Sequence, residues 1–142
     1  MLKLAWIVMV AGLMSAPVLA QAPAQGSIPD LRGTWKGESE SIVYGGGNPH
    51  HPAAKPKDPQ MRSVPFTLVV DKQEGRRFSG TFSSARSSEK VVAVVARNGT
   101  IMMADDDGYT LGTVIAPNRI ELCYLRASAA ARVASCTELT KQ

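Results

Sequence analysis

Apolar and polar residues alternate along most of this chain with a period of two, not 3.6, and turn-forming residues recur about every ten positions. The run TWKGESESIVY (34–44) reads as a first strand and VPFTLVVDK (64–72) as a second, with Phe66, Leu68 and Val70 on one face. RFSGTFSSA (77–85) puts Phe78, Gly80 and Phe82 together. KVVAVVARN, TIMMAD, YTLGTVIA, IELCYLRA and RVASCTELT follow, separated by NGT, DDDG, PNR and ASAAA, each a turn signal. Eight strands joined by short turns, with no convincing helical stripe, predict an all-β fold. The expected architecture is a small up-and-down antiparallel β-barrel, since closure removes exposed edges; a β-sandwich is the alternative.

Phasing the alternation places Trp35, Phe66, Leu68, Val70, Phe78 and Phe82 inside the barrel. Val92, Val94, Tyr109, Leu111 and Ile115 are placed there too, with Ile120, Leu122, Tyr124, Val133 and Leu139. The same phasing turns the acidic residues outward or into turns.

One segment breaks the pattern. Residues 45–62, GGGNPHHPAAKPKDPQMR, carry three glycines, four prolines and no apolar periodicity. They are expected to form a long loop at one mouth of the barrel, more a disordered linker than a packed element. On that reading His50 and His51 are exposed, and the loop is dispensable for folding.

The front of the chain changes the picture of where the protein works. MLK is a short positive start, LAWIVMVAGLM an apolar run, and SAPVLA supplies Val18 and Ala20 at the −3 and −1 positions of a signal-peptidase site. Residues 1–20 are expected to be a signal peptide and 21–30 a flexible leader. A single domain over 31–142 follows. No cysteine directly follows the apolar run, so lipid attachment is not expected. The protein is expected to be periplasmic or secreted, with no membrane span once the signal is removed.

In an oxidising compartment Cys123 and Cys136 are expected to form a disulfide. A hairpin pairing them directly turns between Ala129 and Ala130. It sets Leu125 against Ala134 and Glu121 against Glu138, with both cysteines on the outer face. The formal net charge of +4 is mild and its basic residues scattered, so nucleic acid is not an expected partner.

Gly33-Thr34-Trp35 resembles the Gly-x-Trp that opens the first strand of lipocalin and calycin barrels, where the large ring plugs the closed end. RGTWKGES and RRFSGTFSSARSSE further resemble strand one, and strand three with its following loop, of the avidin and streptavidin family. The resemblance implies the barrel, and a ligand pocket at its mouth. It does not imply biotin. By position, the family's ureido-binding Asn, Ser and Tyr become Gly37, Ser41 and Phe82, and no tryptophan follows Trp35 to box a ligand.

Candidate ligand-binding residues are therefore Trp35, Ser41, Phe82, Ser84, Tyr109 and Tyr124. No catalytic residue, metal site or cofactor is expected. The adjacent histidines are poorly placed to chelate, DDDG reads as a turn, and no nucleophile elbow is present. The expected function is an exported binding protein, not an enzyme, holding a small apolar or amphipathic molecule. The alternatives are an interaction module or inhibitor of an exported hydrolase, engaging it through loop 45–62, and a structural envelope protein.

Overall fold

The structure, a computed structural model, describes residues 28–54 and 58–142. The expected signal peptide and most of the expected leader lie outside the described residues. Eight strands form one closed antiparallel barrel in chain order. They are β1 (Gly33–Gly45), β2 (Gln60–Glu74), β3 (Arg77–Ser83), β4 (Ser88–Val95), β5 (Thr100–Ala104), β6 (Tyr109–Ala116), β7 (Arg119–Ala127) and β8 (Ala131–Lys141). β8 closes on β1, with Val43 opposite Val133 and Ser41 opposite Ser135. Among the described residues no helix is long and apolar enough to cross a membrane.

Up-and-down order sends alternate connections to opposite ends. The β2–β3, β4–β5 and β6–β7 turns lie at the floor. The β1–β2, β3–β4, β5–β6 and β7–β8 connections lie at the mouth. Trp35 fills the floor as the sequence implies, fully buried among Leu31, Leu68, Val70, Phe78 and Leu139. Burying that ring contributes on the order of 4 kcal/mol. Its Nε1 donates to the carbonyl of Leu31 at 2.8 Å, so its polar edge is satisfied. Gln73 ties down the chain leading into β1: its Oε1 accepts from the Leu31 amide and its Nε2 donates to the Pro29 carbonyl, both at 2.8 Å.

The β7–β8 register is the expected one. Cys123 faces Cys136, Leu125 faces Ala134 and Glu121 faces Glu138. The cysteines are disulfide-bonded with Cα atoms 4.0 Å apart, on the outer face.

Two strands are phased one residue away from expectation. In β4 the inward residues are Val91, Ala93 and Val95, while Val92 and Val94 face solvent. In β6 Thr110, Gly112 and Val114 turn inward, and Tyr109, Leu111 and Ile115 turn outward. Cross-strand partners share a face, and that decides both cases. Phe78 and Gly80 pair with Ala93 and Val91; Tyr124 and Leu122 pair with Thr110 and Gly112. β4 is apolar on both faces, so alternation alone gives no preference, and in β6 alternation favours the face that turns out. The shift in β4 also turns Glu89 inward, opposite Phe82, where the expected phasing had every acidic residue outside or in a turn.

Candidate functional site

The upper half of the barrel is polar. β1 contributes Ser39 and Ser41, and β8 contributes Ser135 and Thr137; all are buried. Buried hydroxyls need partners, since each unsatisfied one costs about 1–3 kcal/mol. Ser39 and Ser135 both bond to Ser41, and Ser41 bonds to the loop expected to be a linker.

Residues 46–54 fold back into the mouth, which corrects that expectation. His50 and His51 are 4% and 2% exposed. Loop backbone bonds run from Gly46 N to Ala130 O, Asn48 N to His51 O and Ala54 N to Gly45 O. Gly47 makes this folding possible, because a Cβ there would lie 1.9 Å from the His51 carbonyl oxygen. Residues 60–62, also assigned to the loop, belong to β2, where Ser41 pairs with Arg62.

Asn48 organises the plug. Its Oδ1 accepts from the amides of His50 and His51 at 3.1 and 2.6 Å, and it lies 3.1 Å from His51 Nδ1. An amide oxygen only accepts, so Nδ1 carries the proton and Nε2 is the acceptor. His51 Nε2 then accepts a hydrogen bond from the Ser41 hydroxyl at 2.9 Å. Ser41 Oγ is also 3.0 Å from Ser39 Oγ and 2.8 Å from Ser135 Oγ. Burial, with the nearby His50 and Arg62, pushes the His51 pKa down to about 4. The ring is neutral at ordinary pH.

His50 enters a different pocket. Its Nδ1 is 2.8 Å from Ser84 Oγ and its Nε2 is 3.2 Å from Glu89 Oε2. The imidazole meets Phe66 and Phe82 edge to face, with centroids 5.1 and 5.9 Å away, while those two rings stack on each other at 4.6 Å. Burial raises the Glu89 pKa, as do Asp107 and Asp105, with His50 opposing. Tyr124 donates to Asp107 at 2.7 Å, and Arg126 also bonds Asp107. Burial and that bond hold the phenol protonated well above its usual range. Gly108 lets Tyr124 lie there, since a Cβ would sit 2.3 Å from its ring.

Asp105 accepts from the amides of Asp107 and Gly108, so DDDG is the turn the sequence suggested. Glu89, Asp105 and Asp107 offer carboxylate oxygens within 4.8 Å of one another. Each is already held by a donor: His50, two backbone amides, and Tyr124 with Arg126. Beneath the loop the remaining void is about 20 Å³, bounded by both histidines, Phe66, Tyr124, Ser135 and Thr137 among others. That is room for about one water.

Four of the six expected ligand residues meet at this mouth: Ser41, Phe82, Ser84 and Tyr124. Trp35 is at the opposite end, in the floor. Tyr109 is 60% exposed on the outer wall, because β6 is phased the other way. Asn48, His50, His51 and Glu89 were not expected at the site. The signal that pointed to His51 is the row Ser39, Ser41, Ser135 and Thr137, which alternation puts inside and which requires a polar partner.

The result is a closed eight-stranded barrel, apolar below and polar above, whose mouth is filled by its own loop. No protein-family model and no curated protein matches the chain. Among solved structures, the S-type phycobiliprotein lyase CPES from Guillardia theta matches with 11% identity, over 79% of this chain and 88% of that chain, at a TM-score of 0.38. A likeness of that degree carries no functional inference. The similarity to the avidin and streptavidin family is not shown by these comparisons; the barrel it implied is the one observed.

Proposed function

We propose that this chain is an exported, non-catalytic binding barrel that takes a small amphipathic ligand at its mouth, in the place now held by residues 46–54. The observation carrying this reading is the buried polar and aromatic site that the loop histidines occupy. A barrel of eight strands is wide enough either to pack solid or to hold one small molecule. The floor of this one is packed with apolar side chains. An apolar upper half would need no hydrogen bonds, yet the mouth has Ser41, Ser84, Ser135 and Tyr124 converging beside stacked phenyl rings. Such a mixture suits recognition. The disulfide supports export.

Ser41, His51 and Asn48 stand in the order of a nucleophile, base and orienting group. A binding role is supported over catalysis because Ser41 Oγ is already engaged by three partners and His51 is a weak base. The alternative of a protruding loop wedged into a hydrolase has less support, since both histidines turn inward.

A ligand must displace the plug, so its apparent affinity is reduced by the fraction of molecules with the mouth open. The test is a fragment screen by amide NMR on the whole protein. Ligands should speed exchange at Gly46, Asn48 and Ala54, whose amides tie the loop, without exposing β1 or β8. If those amides exchange only through global unfolding, and no fragment perturbs them, the mouth is a solid plug and the reading fails.

A further inference from the structure

His50 is attached to the barrel by sequence but seated in it like a bound molecule. Its five-membered ring packs on Phe66 and Phe82 and bonds Ser84 and Glu89. All four belong to β2, β3, β4 or the turn between the last two, so none moves with the loop. We infer that this pocket is a subsite for a small planar nitrogen heterocycle of the imidazole type, and that His50 occupies it as a built-in surrogate. The inference rests on reading the mouth as the ligand site and names the class of ligand.

The chemistry of the four contacts is selective. An ionised Glu89 accepts from a ring N–H and a protonated one donates to a bare ring nitrogen, so the ring must present a hydrogen-bonding atom at that position. Ser84 can donate or accept, so the second ring atom must be polar but either protonation state serves. The edge-to-face contacts with Phe66 and Phe82 favour an aromatic ring whose positive edge meets their faces. With His50 withdrawn, Glu89, Asp105 and Asp107 remain within 4.8 Å of one another against the single Arg126 that bonds Asp107. That surplus of negative charge disfavours carboxylate ligands and favours neutral or cationic nitrogen rings.

Removing the surrogate tests this in the full-length protein. The variant His50→Gly opens the subsite, and imidazole and thiophene serve as probes: the same ring size, with and without nitrogen. Imidazole should raise the melting temperature of H50G saturably, with a dissociation constant on the order of millimolar, and should leave His50→Gln unchanged. Thiophene should have no comparable effect. Adding Glu89→Gln to H50G should weaken imidazole about tenfold, the usual cost of losing one charge-assisted bond.

Equal binding of thiophene would overturn the proposal, since the hole would then be merely apolar. So would an H50G protein that folds without taking up imidazole, or one that stays unfolded with and without it while H50Q folds. The broader reading fails separately. Imidazole binding to H50G, with no fragment able to open the native loop, would keep the subsite chemistry and remove the native ligand function.

Discussion

Ser41 Oγ and His51 Nε2 lie 2.9 Å apart, both buried, with the proton on the serine side because Asn48 fixes the other nitrogen of the ring. A second proton on His51 would bury a charge and make the Ser41 hydroxyl turn its own proton toward Ser39 or Ser135. The unfolded ring binds a proton near pH 6.5 and the folded one near 4, so the unfolded state holds more protons between those values. Stability is complete above about pH 6.5 and falls as the pH drops toward 4. The loss is on the order of 3 kcal/mol. Urea titrations at several pH values should show this slope, and His51→Gln should flatten it. Identical profiles for the two proteins would disprove the assignment.

The same pair should be chemically quiet. A fluorophosphonate probe should not label Ser41 in the folded protein, because the hydroxyl is saturated with partners and covered. Labelling above that of a Ser41→Ala control, read by intact mass, would indicate an activated nucleophile and overturn the non-catalytic reading.

Asn48→Ala removes an acceptor from two backbone amides and one ring nitrogen at once. The expected cost is about 2–3 kcal/mol, the sum of a few modest bonds partly replaced by water. Exchange at the His50 and His51 amides should rise far more than exchange in β7 or β8. A uniform rise would mean that the plug and the barrel open as one unit.

Much of the fold was legible in the sequence because several signals agreed. Trp35 follows a glycine at the start of a strand, and the one placement that buries it well is the floor. Cys123 and Cys136 set a register, and a single register fixes every pair in its hairpin. β4 and β6 carried no such anchor. Val92 and Val94 are as apolar as Val91 and Val95, and only the pairing with β3 separates them. Tyr109 and Leu111 look more like core than Thr110 and Gly112, yet the partners of Thr110 and Gly112, Tyr124 and Leu122, were already placed inside. In β6 the turn register itself misleads: Ala116 pairs with Arg119 at the turn, but a shift between Val114 and Ala116 sets Thr110, not Leu111, opposite Tyr124.

The site was harder to read. A segment rich in glycine and proline resembles a linker when judged by composition, and here those residues supply the tight backbone that lets adjacent histidines enter two different pockets. Ser41, Phe82, Ser84 and Tyr124 could be found from their own strands. His51 could be found by asking what satisfies the buried hydroxyls; His50, which bonds Ser84 and Glu89, had no such signal.

Gly47→Ala gives the sharpest separation of plug from barrel. The loop doubles back on itself there, and a methyl group would meet His51 O at 1.9 Å, Pro52 C at 2.6 Å and Ala53 N at 2.8 Å. Backbone atoms cannot rotate away as a flexible side chain can, so the segment must unseat. Neither the floor around Trp35 nor the β7–β8 disulfide touches this residue, so the barrel should persist. Circular dichroism should remain that of an all-β protein, while stability falls by roughly 1–3 kcal/mol, the usual cost of local strain or its release. Unseating His50 and His51 uncovers Phe66 and Phe82, and an apolar dye should bind the variant and not the parent. Imidazole should bind it as well, since the pocket of Ser84 and Glu89 is vacated with every barrel residue unchanged. A variant with parental stability and no dye binding would mean that the loop reaches the same seat by another path, and that Gly47 is not what holds the histidines in the mouth.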